Sequence, residues 1–390
     1  MAHVHPVYAA METTIFEHMS GLARQLGAIN LGQGFPDEPG PPELIAAAAR
    51  ALAEKSNQYP PGAGLPELRA AVAAFYRRRQ GLEIAPEDVI VTSGATEAIA
   101  AAILALVQPG DEVILFQPAY DAYGPMVRRA GGVPVSVALS PPDWRYDAAR
   151  IEAAVTGRTR LLILNDPLNP AGTVASEAEL AAIAGICLRH DLCAICDEVW
   201  EGVRFDGARH RSLASLPGMA GRAVKIGSAG KIFGLTGWKI GWMCARGEIG
   251  EIGKGLARAH QFLTFTSPPA LQWAVAEGLA LPDDWFAARD AVWAASRARL
   301  RRGLEGAGYR VLPNAATWFL CADLAASGIA LDDRAFSERA LREAGVASIP
   351  VSALFEGAAA PRHVVRFCFT KADATLDEAA ARLAEFRAAN

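Results

Sequence analysis

Leu161-Leu-Ile-Leu-Asn-Asp-Pro167 and Leu192-Cys-Ala-Ile-Cys-Asp-Glu198 are the stretches whose reading decides the fold. Each is a short apolar run without polar alternation, closed by turn chemistry, and a helical stretch rich in alanine and leucine lies between them. Apolar runs of this length are strands buried on both faces, as in a parallel sheet. Working outward, the same unit recurs on both sides. Strands are expected at Val89–Thr92, Glu112–Phe116, Val133–Ala138, Leu161–Leu164, Leu192–Cys196, Ala223–Ile226 and Ile240–Ala245, alternating with apolar-striped helices from about Pro41. This order predicts an α/β protein with a mostly parallel seven-stranded sheet between helices.

After about Pro282 the texture changes to a long Arg/Ala-rich helix through Glu305, short strands near Thr317–Cys321 and Val364–Thr370, and a closing helix from Leu376. A chain of 390 residues is long for one core. The expected organisation is an N-terminal arm and part of a small domain over 1–40, a large domain over 41–282, and a small α+β domain over 283–390. The Gly-rich Leu31-Gly-Gln-Gly-Phe-Pro-Asp37 is expected to pack back against the active site.

The formal charge of -4 lacks the basic excess that a phosphate backbone demands, so nucleic acid is not an expected partner. Met1 to Ser20 carries Glu12, Glu17 and three histidines where a signal peptide would be apolar. The apolar run Ala98–Val107 is about half a membrane span and ends in Gln-Pro-Gly-Asp, a turn. A cytoplasmic protein with no membrane segment is expected. Cys193 and Cys196 form a CxxC, but inside an apolar strand and without a second ligand pair at zinc spacing, so core packing is expected and no metal site.

Polar residues at the expected strand ends carry the chemistry, because ligands of open α/β sheets bind there. Ser228-Ala-Gly-Lys231, followed by Gly234, Gly237, Lys239 and Gly241, crowds a lysine with glycines just after a strand, so backbone or a planar ligand must approach closely. A nucleophilic lysine must be deprotonated, and Lys239 pushes its pKa that way while also suiting a phosphate. Asp197 follows a strand directly and suits a protonated ring nitrogen; a helix cap is the plain alternative. Asn169, in Asn165-Asp-Pro-Leu-Asn-Pro-Ala-Gly172, is by default a turn residue. Ser93-Gly-Ala-Thr-Glu97 joins strand to helix, where free amides and the helix dipole favour an anion. Arg366 lies inside an apolar strand, its fork suited to a carboxylate or to a structural salt bridge. Neither Gly32-x-Gly34 nor Gly62-x-Gly64 completes a dinucleotide fingerprint.

Taken in order, roughly from Met11 to Arg387, these segments resemble the class I/II aminotransferases of pyridoxal 5'-phosphate (PLP) fold type I. Within them the resemblance is to the kynurenine aminotransferase/glutamine transaminase K and bacterial methionine aminotransferase group. It is carried by Ile29-Asn-Leu-Gly-Gln-Gly-Phe-Pro-Asp37, Asn57-Gln-Tyr59, Ser228-Ala-Gly-Lys-Ile-Phe233 with Thr236-Gly-Trp-Lys239, His260-Gln261, Ile349-Pro-Val-Ser352 and Arg366-Phe-Cys-Phe-Thr-Lys371.

The resemblance implies that Lys231 holds PLP as a Schiff base and shuttles the proton at Cα, that Asp197 pairs the pyridine nitrogen, and that Asn169 bonds the 3'-oxygen. It implies Tyr120 stacked on the ring, and the phosphate held by the Gly94–Thr96 turn with its Ala95 and Thr96 amides, Ser228 and Lys239. Tyr59 would join them from the partner subunit of a homodimer that shares its active sites. Arg366 and the Gly34 backbone, with Asn169 helping, would bind the α-carboxylate; Phe16, Tyr123 and the partner's His260 would line the side-chain pocket. One position departs from the pattern: Trp200 stands where the family has a tyrosine bonding the 3'-oxygen, and an indole donates but cannot ionise like a phenol.

The implied reaction is ping-pong transfer of an amino group between an L-amino acid and a 2-oxo acid. Aromatic pocket residues favour aromatic, sulfur-containing, kynurenine or glutamine-type donors, and no second arginine is evident for a dicarboxylate. The alternatives are cysteine-S-conjugate β-elimination and aspartate- or succinyldiaminopimelate-type transamination. A non-catalytic regulator on the same fold is disfavoured because no DNA-binding extension is read before Met11. An unrelated lysine-dependent enzyme would lack the cofactor's absorption.

Overall fold

The computed structural model describes residues 4–246, 250–357 and 360–389. Its strands, in chain order, are β1 (Ile29–Asn30), β2 (Val89–Ser93), β3 (Glu112–Gln117), β4 (Val133–Ala138), β5 (Thr159–Asn165), β6 (Cys193–Asp197), β7 (Ala223–Ser228), β8 (Ile240–Ala245), β9 (Arg310–Val311), β10 (Phe319–Asp323), β11 (Val346–Ala347), β12 (Ile349–Pro350) and β13 (Val364–Cys368). A seven-stranded sheet runs in the order β2-β8-β7-β6-β5-β3-β4, and β8 alone is antiparallel to its neighbours. The fold is α/β with a mostly parallel central sheet, as expected.

Burial explains why β5 and β6 read as unbroken apolar runs. Leu162, Ala194, Ile195 and Cys196 are sealed from solvent, so successive side chains enter cores on opposite faces of the sheet. Cys193 and Cys196, three apart in an extended strand, point to opposite faces, and both thiols are free. Burial pushes both thiols above their ordinary pKa. The connecting helix Glu177–Arg189 starts at a capping box, Ser176 with Glu179.

The strands run slightly further than the apolar pattern does. β5 and β6 pair up to Asn165 opposite Asp197, so backbone pairing continues into the first polar residue and fixes both side chains rigidly at the strand ends. The smaller four-stranded sheet, β12-β13-β10-β9, is antiparallel. The helix Asp283–Gly306 packs along the closing helix Asp373–Ala389, with Arg299 bridging to Asp373 and Asp377. The N-terminal segment joins this smaller unit: β1 pairs with β11, and the Leu31 carbonyl accepts from the Cys368 amide. No described helix is long and apolar enough to cross a membrane.

Candidate active site

A cavity of about 640 Å³ opens at the carboxyl ends of β2, β5, β6 and β7 and is closed by Arg366 from β13. Lys231 follows β7 in the short helix Ala229–Ile232, and its Nζ lies 4.8 Å from the Trp200 ring centre and 5.2 Å from that of Trp318. Burial brings its pKa down to about 8, with Arg366 and Lys239 adding repulsion against the pull of Asp197. The amine is therefore partly neutral near physiological pH.

Asp197 is buried at the end of β6 and makes no ion pair among the described residues. The Tyr123 hydroxyl donates to it through a short hydrogen bond, and the Val199 amide donates at 3.4 Å. Burial nevertheless pushes its carboxyl above the ordinary range. Asn165, missed by the sequence reading, locks this strand end: its Nδ2 donates to the Asp197 carbonyl at 2.9 Å and its Oδ1 accepts from the Asn169 amide at 2.9 Å. The one signal for it was a polar residue ending an apolar run.

The Gly94–Thr96 turn and Lys239 come together on the cavity wall. Gly94 starts the helix Gly94–Leu106 at φ +73°, and a Cβ there would stand 3.0 Å from Lys239 Nζ. A Cβ on Gly241 would strike the Gly94 carbonyl carbon at 2.6 Å and the Ala95 nitrogen at 2.7 Å, so glycine lets β8 press against the turn. Gly94, Ala95, Thr96, Ser228 and Lys239 all line the cavity, as does Tyr120.

Arg366 is almost fully buried, yet no carboxylate pairs with it among the described residues. It donates to Asn169 Oδ1 at 3.1 Å and to the Gly32 carbonyl, and its Nε is unpartnered. Its guanidinium lies 3.9 Å from the Phe319 ring centre and 5.0 Å from that of Phe16. Gly34 leaves room for this stack, since a Cβ there would meet Phe319 Cζ at 2.6 Å. Phe319 gave no signal in the sequence because its role is packing alone.

Three expected residues lie outside the cavity. Tyr123 does not line a side-chain pocket; it starts the helix Tyr123–Arg129, is sealed from solvent, and spends its hydroxyl on Asp197. His260 does not line the cavity of its own chain. It is 1% exposed, with Nδ1 2.7 Å from Glu97 Oε1 and Nε2 2.8 Å from the Gly62 carbonyl oxygen. The residues that do face outward come just after it: Phe262, Leu263 and Phe265. Tyr59 is 84% exposed, edge-on to Phe265 at 5.6 Å.

A cavity-lining lysine of lowered pKa, a carboxylate without an ion pair and a glycine-built turn meet at strand ends, the arrangement expected of a PLP-binding site of the fold type I class. The model of the family "Aminotransferase class I and II" matches residues 27–383, and the chain belongs to that family and is PLP-dependent. It is 48% identical over 382 residues to a probable N-succinyldiaminopimelate aminotransferase of Mycobacterium tuberculosis, covering 95% of each chain. It is 40% identical over 372 residues to methionine aminotransferase of Escherichia coli, again over 95% of each. The solved structure of N-succinyldiaminopimelate aminotransferase from M. tuberculosis superposes with a TM-score of 0.94 at 47% identity, covering 98% of this chain and all of that one.

Proposed function

The chain is an aminotransferase, and we propose that its donors are L-amino acids with one carboxylate and an apolar, aromatic, thioether or amide side chain. One observation carries this. The cations lining the cavity are Lys231, Lys239 and Arg366, each already suited to one part of a cofactor and an α-carboxylate, and among the described residues no further cation is there for a side-chain carboxylate. Met11, Phe16, Phe35 and Ile99 supply apolar wall instead.

PLP, when bound, supplies an aldehyde for the amino group and an electron sink for Cα–H cleavage. Lys231 moves the proton at Cα, helped by burial that favours its neutral form. Asp197, held by Tyr123 and Asn165, offers its charge to the ring nitrogen; a cationic partner reverses the cost of its burial. Arg366 holds the α-carboxylate bidentately and Asn169 steadies that guanidinium. The exposed Tyr59, Phe262, Leu263 and Phe265 support a homodimer in which Tyr59 joins the partner's phosphate site. The free cysteines fit a reducing, cytoplasmic setting.

The test follows the absorption of the lysine-bound cofactor as each amino acid is added. Methionine, phenylalanine, kynurenine and glutamine are expected to bleach it fastest and aspartate slowest, and Lys231→Ala is expected to lower turnover by at least about a thousandfold. A second reading, N-succinyldiaminopimelate as substrate, is favoured by the 48% identical relative. Faster bleaching by that compound than by any free amino acid establishes it and removes the first.

A further inference from the structure

Glu97 poses an electrostatic problem. It lies in the first turn of the helix Gly94–Leu106, the same turn as the Ala95 and Thr96 amides, and its Oε2 accepts from the Ser93 amide. A carboxylate there is favoured by the helix dipole, but it competes with a bound phosphate for the same positive end. Glu97 is 8% exposed, so water does little to screen it.

His260 is its buried counter-ion. It occupies the last turn of the helix Gly250–Gln261, where that helix presents its negative end, so the two dipoles favour the charged forms of both partners. Burial alone would push the imidazole's pKa down; the hydrogen bonds to Glu97 and the Gly62 carbonyl, with the Glu97 charge, outweigh it and hold the pKa above the ordinary value. For Glu97, burial pushes up and the bonds from His260 and Ser93 win, holding it low.

We propose that His260 is a positioning residue for the cofactor phosphate: its imidazolium cancels the Glu97 charge, leaving the Gly94–Thr96 turn free to bind an anion. The inference rests on reading that turn as the phosphate site. The 2.8 Å contact of His260 with the Gly62 carbonyl extends the same clamp to the loop that follows Tyr59.

The test titrates the full-length apoprotein with PLP and with pyridoxal, which lacks the phosphate, by tryptophan fluorescence. His260→Gln is expected to weaken PLP about tenfold while leaving pyridoxal within about twofold. Adding Glu97→Gln removes the uncompensated charge and is expected to restore PLP binding to within about threefold of wild type. Equal weakening of both ligands, unchanged binding of PLP, or failure of E97Q/H260Q to recover would overturn the proposal. Should H260Q not fold, Glu97→Gln alone is expected to bind PLP at least as tightly as wild type, and a loss of about tenfold overturns it equally. A wild type that binds PLP no tighter than pyridoxal removes the phosphate-site reading itself, and this inference with it.

Discussion

The carboxyl ends of β5, β6 and β7 support two groups of charges, one on each face of the sheet, and the two are built on opposite principles. In front, Asp197 lines the cavity with Lys231, and neither has an ion-pair partner among the described residues. Behind, Glu198 turns away from the cavity, and Lys225 Nζ bridges Glu198 and Glu201, all three about 1% exposed. Tyr76 donates to Glu201 at 2.7 Å and Ser212 to Glu198 at 2.8 Å, so protein partners complete both of these glutamates. Adjacent residues of one strand end thus differ in whether the protein or a ligand completes them.

Breaking the rear group gives the largest expected effect. Lys225→Met leaves Glu198 and Glu201 buried without a cation, which costs about 3–5 kcal/mol. Urea denaturation reads the loss, while turnover per folded molecule is expected to stay near wild type. A loss under about 1 kcal/mol would show that the rear charges are not held by one another.

The front group predicts the opposite sign. Lys231 has a pKa of about 8 against an ordinary 10.5, so between those values the unfolded chain holds a proton that the folded apoprotein does not. Stability therefore rises with pH through that window, and below about pH 8 the full cost, roughly 3 kcal/mol at most, opposes folding. Lys231→Met removes the cost: the apoprotein is expected to be more stable than wild type at pH 7, with the gap narrowing from pH 8 towards 10.5. A destabilised K231M apoprotein, measured by denaturation across that range, would contradict it.

How far each group was legible in the sequence follows from what holds it. Lys231, Asp197 and Arg366 could be singled out because a polar residue that closes or interrupts an apolar strand, or stands among glycines, is anomalous locally. The seven central strands were legible for the same reason, since burial on both faces leaves unbroken apolar runs. Glu198, Glu201 and Lys225 gave no such signal, because their meaning is a contact between β7, the segment after β6 and the Tyr76 helix. Tyr123, which the side-chain pocket does not include, and His260, buried within its own chain, show the same limit: a motif gives a position in the chain, whereas burial and partner decide whether a side chain faces a cavity or props the residue that does. Two-residue strands such as β1 and β11 carry no periodicity and are made by each other.

Trp200 lies between the two regimes, and its effect is the smallest. It is 3% exposed and lines the cavity, packed against Trp318 at 5.1 Å and Phe319 at 5.3 Å, and its indole N–H has no partner among the described residues. Trp200→Tyr puts a phenol where the resemblance leads one to expect it. A hydroxyl donating to the cofactor's 3'-oxygen stabilises negative charge there and weakens its hold on the neighbouring proton. The pH at which the absorption of the lysine-bound cofactor changes form is then expected to fall by about one unit, worth about 1.4 kcal/mol. The tyrosine leaves room beside Trp318, so slight destabilisation should accompany the shift. A spectrophotometric titration of both holoenzymes decides it. An unmoved transition means that Asn169 alone tunes the 3'-oxygen, and that Trp200 belongs with the packed aromatic wall rather than with the charges left open for a ligand.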